Sequence, residues 1–455
     1  MSARDAAIAV NRFGLGARPG DIEAAARDPH AWLADQMDPS AIAGPSPGPT
    51  AQEGLAYLQT EYPRFRAQIE RTGADPDAIQ RQVRELLREP RLAHIAWRTG
   101  IAVTTPHGFA ERWVRFWSNH FSVASNTLPM AVIAPTLEAE AIRPKAYGPF
   151  ADLLRAAELH PAMLIYLDQA VSLGPNSMAG RFLDRGLNEN LAREILELHT
   201  LGVAGGYGQG DVEALARILT GWTVGSRRLR SDPDDYGRAL FDVRLQEPGT
   251  HTLLGQRFAG EGPQRAGEAL DFLATRPRTA RFLSEKLARH FLCDDPAARD
   301  IAHIEAAWMG SGGDLAAVAR AVITAPSAFD AALRKFKTPE DFLISSLRAV
   351  GAPAPNPRQL YAGYVALGQA PFSAPSPAGW PDHAEAWASP DAVLKRLDFA
   401  SALAGRAGRN ARPRERALEV LGAGLTDATA QAVARAETPE QGLTLLLMSP
   451  EFQRR

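Results

Sequence analysis

The hydrophobic positions of this chain recur every three or four residues over long stretches. This spacing places apolar side chains on one face of an α-helix, so it predicts amphipathic helices. The run Thr338-Pro339-Glu340-Asp341 is a typical helix start, with Pro and acidic residues in the first turn. The pattern is clearest in Ala78 to Ile101, Gly108 to Val123, Asn188 to Leu201, Gln209 to Leu219, Thr279 to Leu292 and Pro339 to Val350.

The alternation that marks a β-strand is scarce. Its best example runs from Ala239 to Leu254 and predicts one small β-hairpin near 239–255. The predicted fold class is therefore mainly α, a multi-helical globular fold with at most that hairpin. We divide the chain into an N-terminal helical part (1–105), a central helical core that carries most motifs and the hairpin (106–260) and a C-terminal helical part (261–455). One integrated domain is also compatible with this pattern.

Composition narrows the class of protein. Hydrophobic residues make up 45% of the chain and charged residues 22%, which is enough apolar surface for a sizeable core. Lys+Arg is 50 and Asp+Glu is 52, and the resulting net charge of −2 argues against a nucleic-acid binder. No apolar run approaches the roughly 18 residues needed to cross a bilayer, so we expect no membrane insertion. The first residues do not resemble a signal peptide.

Cysteine and lysine are both scarce. The single cysteine, Cys293, excludes intrachain disulfides and cysteine-based zinc or iron–sulfur sites. A metal ion would therefore need histidine, aspartate and glutamate ligands. Basic residues are mostly arginine, and the only lysines are Lys145, Lys286, Lys335, Lys337 and Lys395.

His120 is the first candidate for chemistry. Helical spacing places it on one face with Trp113, Phe116 and Trp117, so we expect its ring to be buried. A buried histidine needs a partner for each ring nitrogen. It is either a core histidine held by a carbonyl or carboxylate, or a metal ligand or general base.

A second candidate segment runs from Leu187 to Gly202. Glu189, Arg193 and Glu197 follow each other at intervals of four and predict a ladder of ion pairs. Glu194 lies three residues before Glu197, so the two carboxylates face the same side of the helix. His199 lies on another side of a regular helix, where its charge would suit the helix C-terminus.

The third candidate is Lys286, which precedes His290 by four residues in an apolar helix. A lysine removed from water is a potential nucleophile. The alternative is a structural lysine paired with a buried carboxylate.

The motifs along the chain are similar to those of the bacterial DUF1800 family. They extend nearly from end to end, and that resemblance implies a family whose activity is not established. The matching segments are Asn11 to Gly16, Phe116 to Phe121, His160 to Asp168, Asn188 to Gly202, Asp211-Val212, Leu219 to Trp222, Lys286 to Phe291, Ser376 to Trp380 and Ser449 to Phe452.

One departure from the family pattern concerns the hairpin. In the family that this chain resembles, many members carry the sequence His-Glu-Pro-Gly in the hairpin. This chain has Gln246 in place of that histidine. An amide is a weak ligand for transition metals, so a metal site at Gln246 is disfavoured. The resemblance also implies a partner, because relatives are often encoded beside a DUF1501 protein with a twin-arginine export signal. This chain would then be cytoplasmic, or periplasmic by co-export with that partner.

Two functional hypotheses follow. In the first, the protein is an enzyme whose catalytic pocket gathers His120, Glu194, Glu197 and Lys286. A divalent metal such as iron, manganese or zinc would bind His120 with Glu194 or Glu197. In the second, the protein is a non-catalytic partner or maturation factor for an exported DUF1501-like protein, and the same polar residues are structural pairs.

Overall fold

The computed structural model describes residues 3–42, 44, 46–71, 75–182, 186–330, 335–351, 355–408 and 411–455. These residues form mainly α-helices, which confirms the predicted fold class. The first half of the chain contains α1 (Ala3–Ile8), α2 (Asp21–Ala25), α3 (Pro29–Ala34), α4 (Ala51–Arg71), α5 (Pro76–Thr104), α6 (Gly108–His120), α7 (Leu128–Ile133), α8 (Phe150–Glu158), α9 (Pro161–Tyr166), α10 (Asn190–Glu194) and α11 (Gln209–Leu219).

The second half continues the helical pattern. Several of its helices begin with proline after a side-chain cap; at α16, for example, the Thr338 hydroxyl accepts from the amide N–H of Asp341. The helices are α12 (Gln264–Ala274), α13 (Pro277–Phe291), α14 (Ala298–Ser311), α15 (Leu315–Ile323), α16 (Pro339–Val350), α17 (Pro357–Leu367), α18 (Pro390–Arg406), α19 (Pro413–Leu421), α20 (Asp427–Ala434) and α21 (Pro439–Met448).

The β-structure is small, as predicted, but its pairing differs in detail. Strand β1 (Trp222–Val224) pairs antiparallel with β2 (Ala239–Phe241), and β3 (His251–Leu253) pairs with β4 (Gln256–Phe258). The stretch predicted as one hairpin therefore contributes strands to two separate sheets, and the second sheet is a hairpin that turns at Leu254-Gly255. Residues Val243–Leu245 form a short 3₁₀ turn because the Asp242 carboxylate caps the N–H of Arg244.

Two apolar clusters hold the helices together. The larger one surrounds Trp113, Trp117 and Phe291 and draws on residues from Ile8 to Ala328. The smaller one packs α16 to α21 against α1 and the end of α5. N-terminal residues contribute to both clusters, and the three-part division of the chain remains a prediction.

In the described part of the chain, three segments of π-helix interrupt the regular helices. They are Ala9–Phe13, Glu138–Ile142 and Ile195–Thr200. Such segments are rare and are frequent at functional sites. The third one contains Glu197 and His199, so the geometry of a regular helix does not apply to that pair.

In the described part of the chain, no helix is both long and apolar enough to cross a bilayer.

Candidate active site

Helix α6 places His120 at the end of an aromatic face, as its spacing predicted. Trp113, Trp117 and His120 are each at most 2% exposed. The His120 ring packs edge-on against Trp117 and Phe121, with ring centroids 5.4 and 4.6 Å away. These rings exclude water from His120, which leaves its nitrogens dependent on protein partners.

Both ring nitrogens of His120 have such partners. Nε2 lies 3.2 Å from the main-chain oxygen of His199. A carbonyl oxygen only accepts, so Nε2 holds the proton and Nδ1 is left with a lone pair. Nζ of Lys286 lies 2.8 Å from Nδ1 and donates to it. Burial lowers the pKa of His120 well below its ordinary value, and the positive charge of Lys286 lowers it further.

Lys286 is the partner that distinguishes this site from an ordinary core. It lies on α13 and keeps partial solvent contact. Burial lowers the pKa of its amine to about 8, an effect only partly opposed by the carboxylate of Asp382. Its nitrogen also lies 5.6 Å from the centre of the Phe282 ring. The hydrogen bond of Lys286 is to a neutral histidine, not to a carboxylate as the structural alternative required.

The nearby carboxylate, Asp382, already contacts two other basic side chains. Its Oδ2 lies 3.0 Å from Nδ1 of His290, and its Oδ1 lies 3.2 Å from Nζ of Lys335. Lys335 also contacts Asp294 at 2.7 Å. Burial by itself would raise the pKa of Asp382, but His290 and Lys335 outweigh it and hold that pKa far below its usual range.

Sequence reasoning noted His290 and the rarity of Lys335 but missed the cluster they form with Asp294 and Asp382. Asp382 follows the segment Ser376 to Trp380 by two residues, and that position was its only signal in the sequence.

The segment Ser376 to Trp380 docks directly onto α6. Oδ1 of Asn119 accepts from the N–H of Trp380 at 2.8 Å, and its Nδ2 donates to the Trp380 carbonyl at 3.0 Å. Gly379 makes this approach possible, since its φ is +81° and a Cβ there would lie 2.3 Å from the Asn119 main-chain oxygen. Two segments 260 residues apart thus meet beside His120.

The third contributing segment is the π-helix Ile195–Thr200. Thr200 donates its hydroxyl to the Ile195 carbonyl at 2.6 Å. His199 lies near the helix end, where main-chain oxygens lack partners within the helix, so its carbonyl is free to accept from His120. The His199 ring turns inward, and its Nδ1 lies 2.7 Å from Oε1 of Glu158.

Glu194 and Glu197 lie close together along the chain, but their side chains have different surroundings. Glu194 is partly exposed, and burial together with nearby carboxylates raises its pKa, against the opposing effect of His199. Glu197 is 3.5 Å from Arg193, which also contacts Glu189 at 3.0 Å, and the predicted ladder is thus present. Among the described residues, no group of three or more His, Cys, Asp or Glu side chains is placed to hold a metal ion.

Gln246 has a role that its amide explains. It is buried, its Oε1 accepts from the N–H of Gly262 at 3.0 Å, and its Nε2 lies 3.4 Å from the Gly262 carbonyl. The side chain of Gln246 therefore holds the loop before α12 by hydrogen bonds to its backbone.

A cavity of about 90 Å³ lies beneath the docked segment, between α5, α6 and α16. Asn119, His290 and Asp382 line it together with buried arginines. Each guanidinium contacts a carboxylate, so its charge is compensated within the protein. The pairs are Arg98 with Glu138 and Glu340, Arg115 with Glu340 and Glu111, and Arg112 with Asp341.

Together, these features define a mainly helical protein in which a lysine–histidine dyad lies between α6, α13 and a π-helix, beside a docked loop. The family described as "Protein of unknown function (DUF1800)" matches residues 8–454, and the chain belongs to that family. The resemblance seen in its motifs is thereby confirmed. No curated protein and no solved structure matches the chain.

Proposed function

We propose that this protein is an enzyme in which the amine of Lys286 attacks the carbonyl carbon of an aldehyde or ketone substrate. The observation that supports it most is the hydrogen bond of 2.8 Å between Lys286 and the neutral ring of His120. A lysine paired with a carboxylate stays protonated, whereas this amine is partly removed from water and has a pKa of about 8. A useful fraction of it is therefore neutral and nucleophilic near neutral pH.

The proposed step is the formation of an imine. The neutral amine forms a nitrogen–carbon bond, the carbonyl π electrons move to oxygen, and one of the two amine protons passes to that oxygen to give a hydroxyl group. The hydroxyl group then leaves with the second amine proton as one molecule of water, and the nitrogen lone pair forms the carbon–nitrogen double bond. No oxidant or reductant is consumed.

His120 is a positioning residue in this proposal. Its pKa is too low for it to take the proton from Lys286 efficiently. It instead fixes the direction of the amine through Nδ1, and the His199 carbonyl fixes the ring.

Reductive trapping tests the proposal. The protein is incubated with propanal or pyruvate and cyanoborohydride at pH 7, and each lysine peptide is quantified by mass spectrometry. We expect Lys286 to be alkylated roughly ten times faster than the exposed Lys145 and Lys395, because much more of its amine is neutral. Equal rates for the three lysines would contradict the proposal.

Matched variants sharpen the same experiment. Lys286→Arg keeps a positive charge but cannot form an imine, so the fast site should disappear. His120→Gln should slow the labelling of Lys286 and leave Lys395 unchanged. If Lys286 were labelled at the same rate in His120→Gln as in the parent, His120 would have no positioning role.

A metal ion on His120 with Glu194 or Glu197 remains a separate prediction of the sequence. It would require Nδ1 to exchange Lys286 for the metal, or Nε2 to release the His199 carbonyl. Thermal melting with zinc, manganese or ferrous iron tests it, and the expected metal-dependent rise in Tm should vanish in Glu194→Gln or Glu197→Gln. An unchanged Tm with all three metals would exclude the site.

A second candidate function is the partner role, and an apolar groove of about 940 Å³ favours it. Leu128 and Val171 line the groove and are 41% and 46% exposed. Arg66, Arg227 and Arg228 also line it, and none of its described lining residues is acidic. The groove therefore fits an apolar segment with acidic neighbours, here assigned to an exported DUF1501-like protein.

Co-expression with the DUF1501-like protein tests the partner role. A complex should survive size-exclusion chromatography at micromolar concentration, and Val171→Glu should dissociate it. Val365→Glu, at an exposed apolar position on α17, is the control. Independent elution of the two parent proteins would reject this role and leave the Lys286 experiment unaffected.

A further inference from the structure

A second pocket, separate from the dyad, lies where α1 meets the last residues of the chain. It has a volume of about 370 Å³. Ile8, Leu421 and Leu425 form part of an apolar wall. The charged residues in its lining are five basic ones and one acidic one: Arg4, Arg12, Lys337, Arg454, Arg455 and Glu451.

The acidic residue is engaged by its own neighbours. Oε1 of Glu451 accepts from the N–H of Thr426 at 3.0 Å, and Oε2 accepts from the Thr429 hydroxyl at 3.0 Å. Both oxygens therefore support the start of α20. The basic side of the pocket thus faces a carboxylate that is already hydrogen-bonded elsewhere.

Arg455 supplies a buried donor for which the described residues provide no acceptor. Its side chain is 0% exposed, its Nη1 donates to the Arg12 carbonyl at 3.3 Å and its Nε lies 3.2 Å from Asp341. Nη2 has no hydrogen-bond partner among the described residues. A buried charged donor without an acceptor is costly, so an anionic group at this position would be strongly favoured.

The main chain fixes Arg455 in place. Its N–H donates to the Lys335 carbonyl at 2.9 Å, and its carbonyl accepts from the Lys335 N–H at 3.2 Å. These bonds fix the backbone of Arg455, and its Nη1 and Nε contacts hold the side chain before any ligand arrives, which lowers the entropic cost of binding.

Lys337 supplies the second group. It is 2% exposed, donates to the Ser345 hydroxyl at 3.0 Å and lies 3.8 Å from the centre of the Phe452 ring. Burial lowers the pKa of its amine to about 7. Asp341 opposes that shift, while the charges of Arg112, Arg396 and Arg455 add to it. No carboxylate contacts the Lys337 amine directly within the described residues.

We propose that this pocket binds a small organic anion, with its phosphate or carboxylate group held by Arg455 and Lys337 and its apolar body against Ile8, Leu421 and Leu425. Arginine and lysine are the usual ligands of such groups, and Nη2 of Arg455 would gain an acceptor that the described residues do not provide. The site is independent of the chemistry at Lys286.

Calorimetric titration tests the site with three probes: inorganic phosphate, butyl phosphate and butyrate. Ionic strength is held constant with sodium chloride so that general screening does not contribute. We expect saturable binding, tightest for a probe that combines the anion with the butyl chain. Preference for butyl phosphate or for butyrate identifies the anionic group, whereas no binding of any probe at 10 mM overturns the proposal.

Proton uptake is the second readout. An anion beside Lys337 raises the protonated fraction of its amine, so binding at pH 7.5 should take up protons. Titrations in two buffers with different ionisation enthalpies measure that uptake. Binding without proton uptake would remove Lys337 from the site.

Variants separate the site from surface charge. Arg455→Gln and Lys337→Met should each weaken binding about tenfold or more, in line with the loss of a charge-assisted hydrogen bond. Arg435→Gln, at an exposed position, should bind like the parent. Lys337→Met keeps the test valid if Arg455→Gln fails to fold, and parental affinity in Lys337→Met would overturn the proposal.

Discussion

Nδ1 of His199 lies 2.7 Å from Oε1 of Glu158, and neither residue is exposed to solvent. Glu158 ends α8 and His199 lies in the π-helix, so this pair joins two elements that the sequence separates by about 40 residues. The main-chain oxygen of the same His199 lies 3.2 Å from Nε2 of His120, so the contact is next to the dyad.

The first prediction concerns this pair. Glu158→Ala removes the carboxylate beside a buried histidine and should lower the free energy of unfolding by about 1–3 kcal/mol, the cost of leaving a buried polar group without a partner. Glu189→Gln removes the half-exposed contact with Arg193 and should cost less than about 1 kcal/mol. Thermal melting of both variants beside the parent measures the difference. Losses of similar size would show that the His199–Glu158 contact contributes little.

The second prediction concerns Glu194, whose carboxylate is partly exposed and whose pKa is raised. A raised carboxyl pKa means that the charged form is penalised in the folded state, so the penalty appears as pH rises through that pKa. Glu194→Gln should therefore be slightly more stable than the parent at pH 7, by at most about 1 kcal/mol. Below the pKa of the unfolded chain this advantage should disappear. A large loss of stability at pH 7 would instead indicate a structural role for the carboxylate.

The third prediction uses the pH dependence of Lys286. Its folded pKa of about 8 lies below the ordinary value of 10.5. The unfolded chain then binds more protons between these values, so folding becomes more favourable as pH rises from 8 to 10. Lys286→Met lacks this rise in stability. Between pH 8 and pH 10, the free energy of unfolding of the parent should therefore increase by roughly 2 kcal/mol more than that of the variant, a value that allows for the partial solvent contact of Lys286. Melting curves at pH 7, 8, 9 and 10 measure the gap, and parallel profiles would contradict the lowered pKa.

The fourth prediction concerns the docked loop. Gly379→Ala places a Cβ 2.3 Å from the Asn119 oxygen at a positive φ, and should cost about 3 kcal/mol or more. Gly312→Ala is the matched control, since its φ is +66° with nothing within 4 Å, and should cost about 1 kcal/mol. Equal changes in Tm would mean that the loop adjusts without strain.

The helices could be predicted because their cause is local. Apolar spacing and caps predicted the stretches 209–219 and 339–350 with the bounds that the structure has. The burial of His120 also followed from the aromatic positions one turn away. In each case the determining residues lie within a few positions of each other.

The sequence alone determined the helical class, the aromatic face of α6, the rarity of lysine and the absence of cysteine-based sites. Only the tertiary structure decided which side chains and main-chain groups each of these residues contacts. Lys286 meets His120 across 166 positions of sequence, and Trp380 meets Asn119 across 261. The π-helix at Ile195–Thr200 also escaped the sequence pattern, because its hydrogen bonds pass over one more residue than those of an α-helix. Periodicity reports which face a side chain occupies, whereas the packing of distant helices decides which charge, ring or carbonyl it meets there.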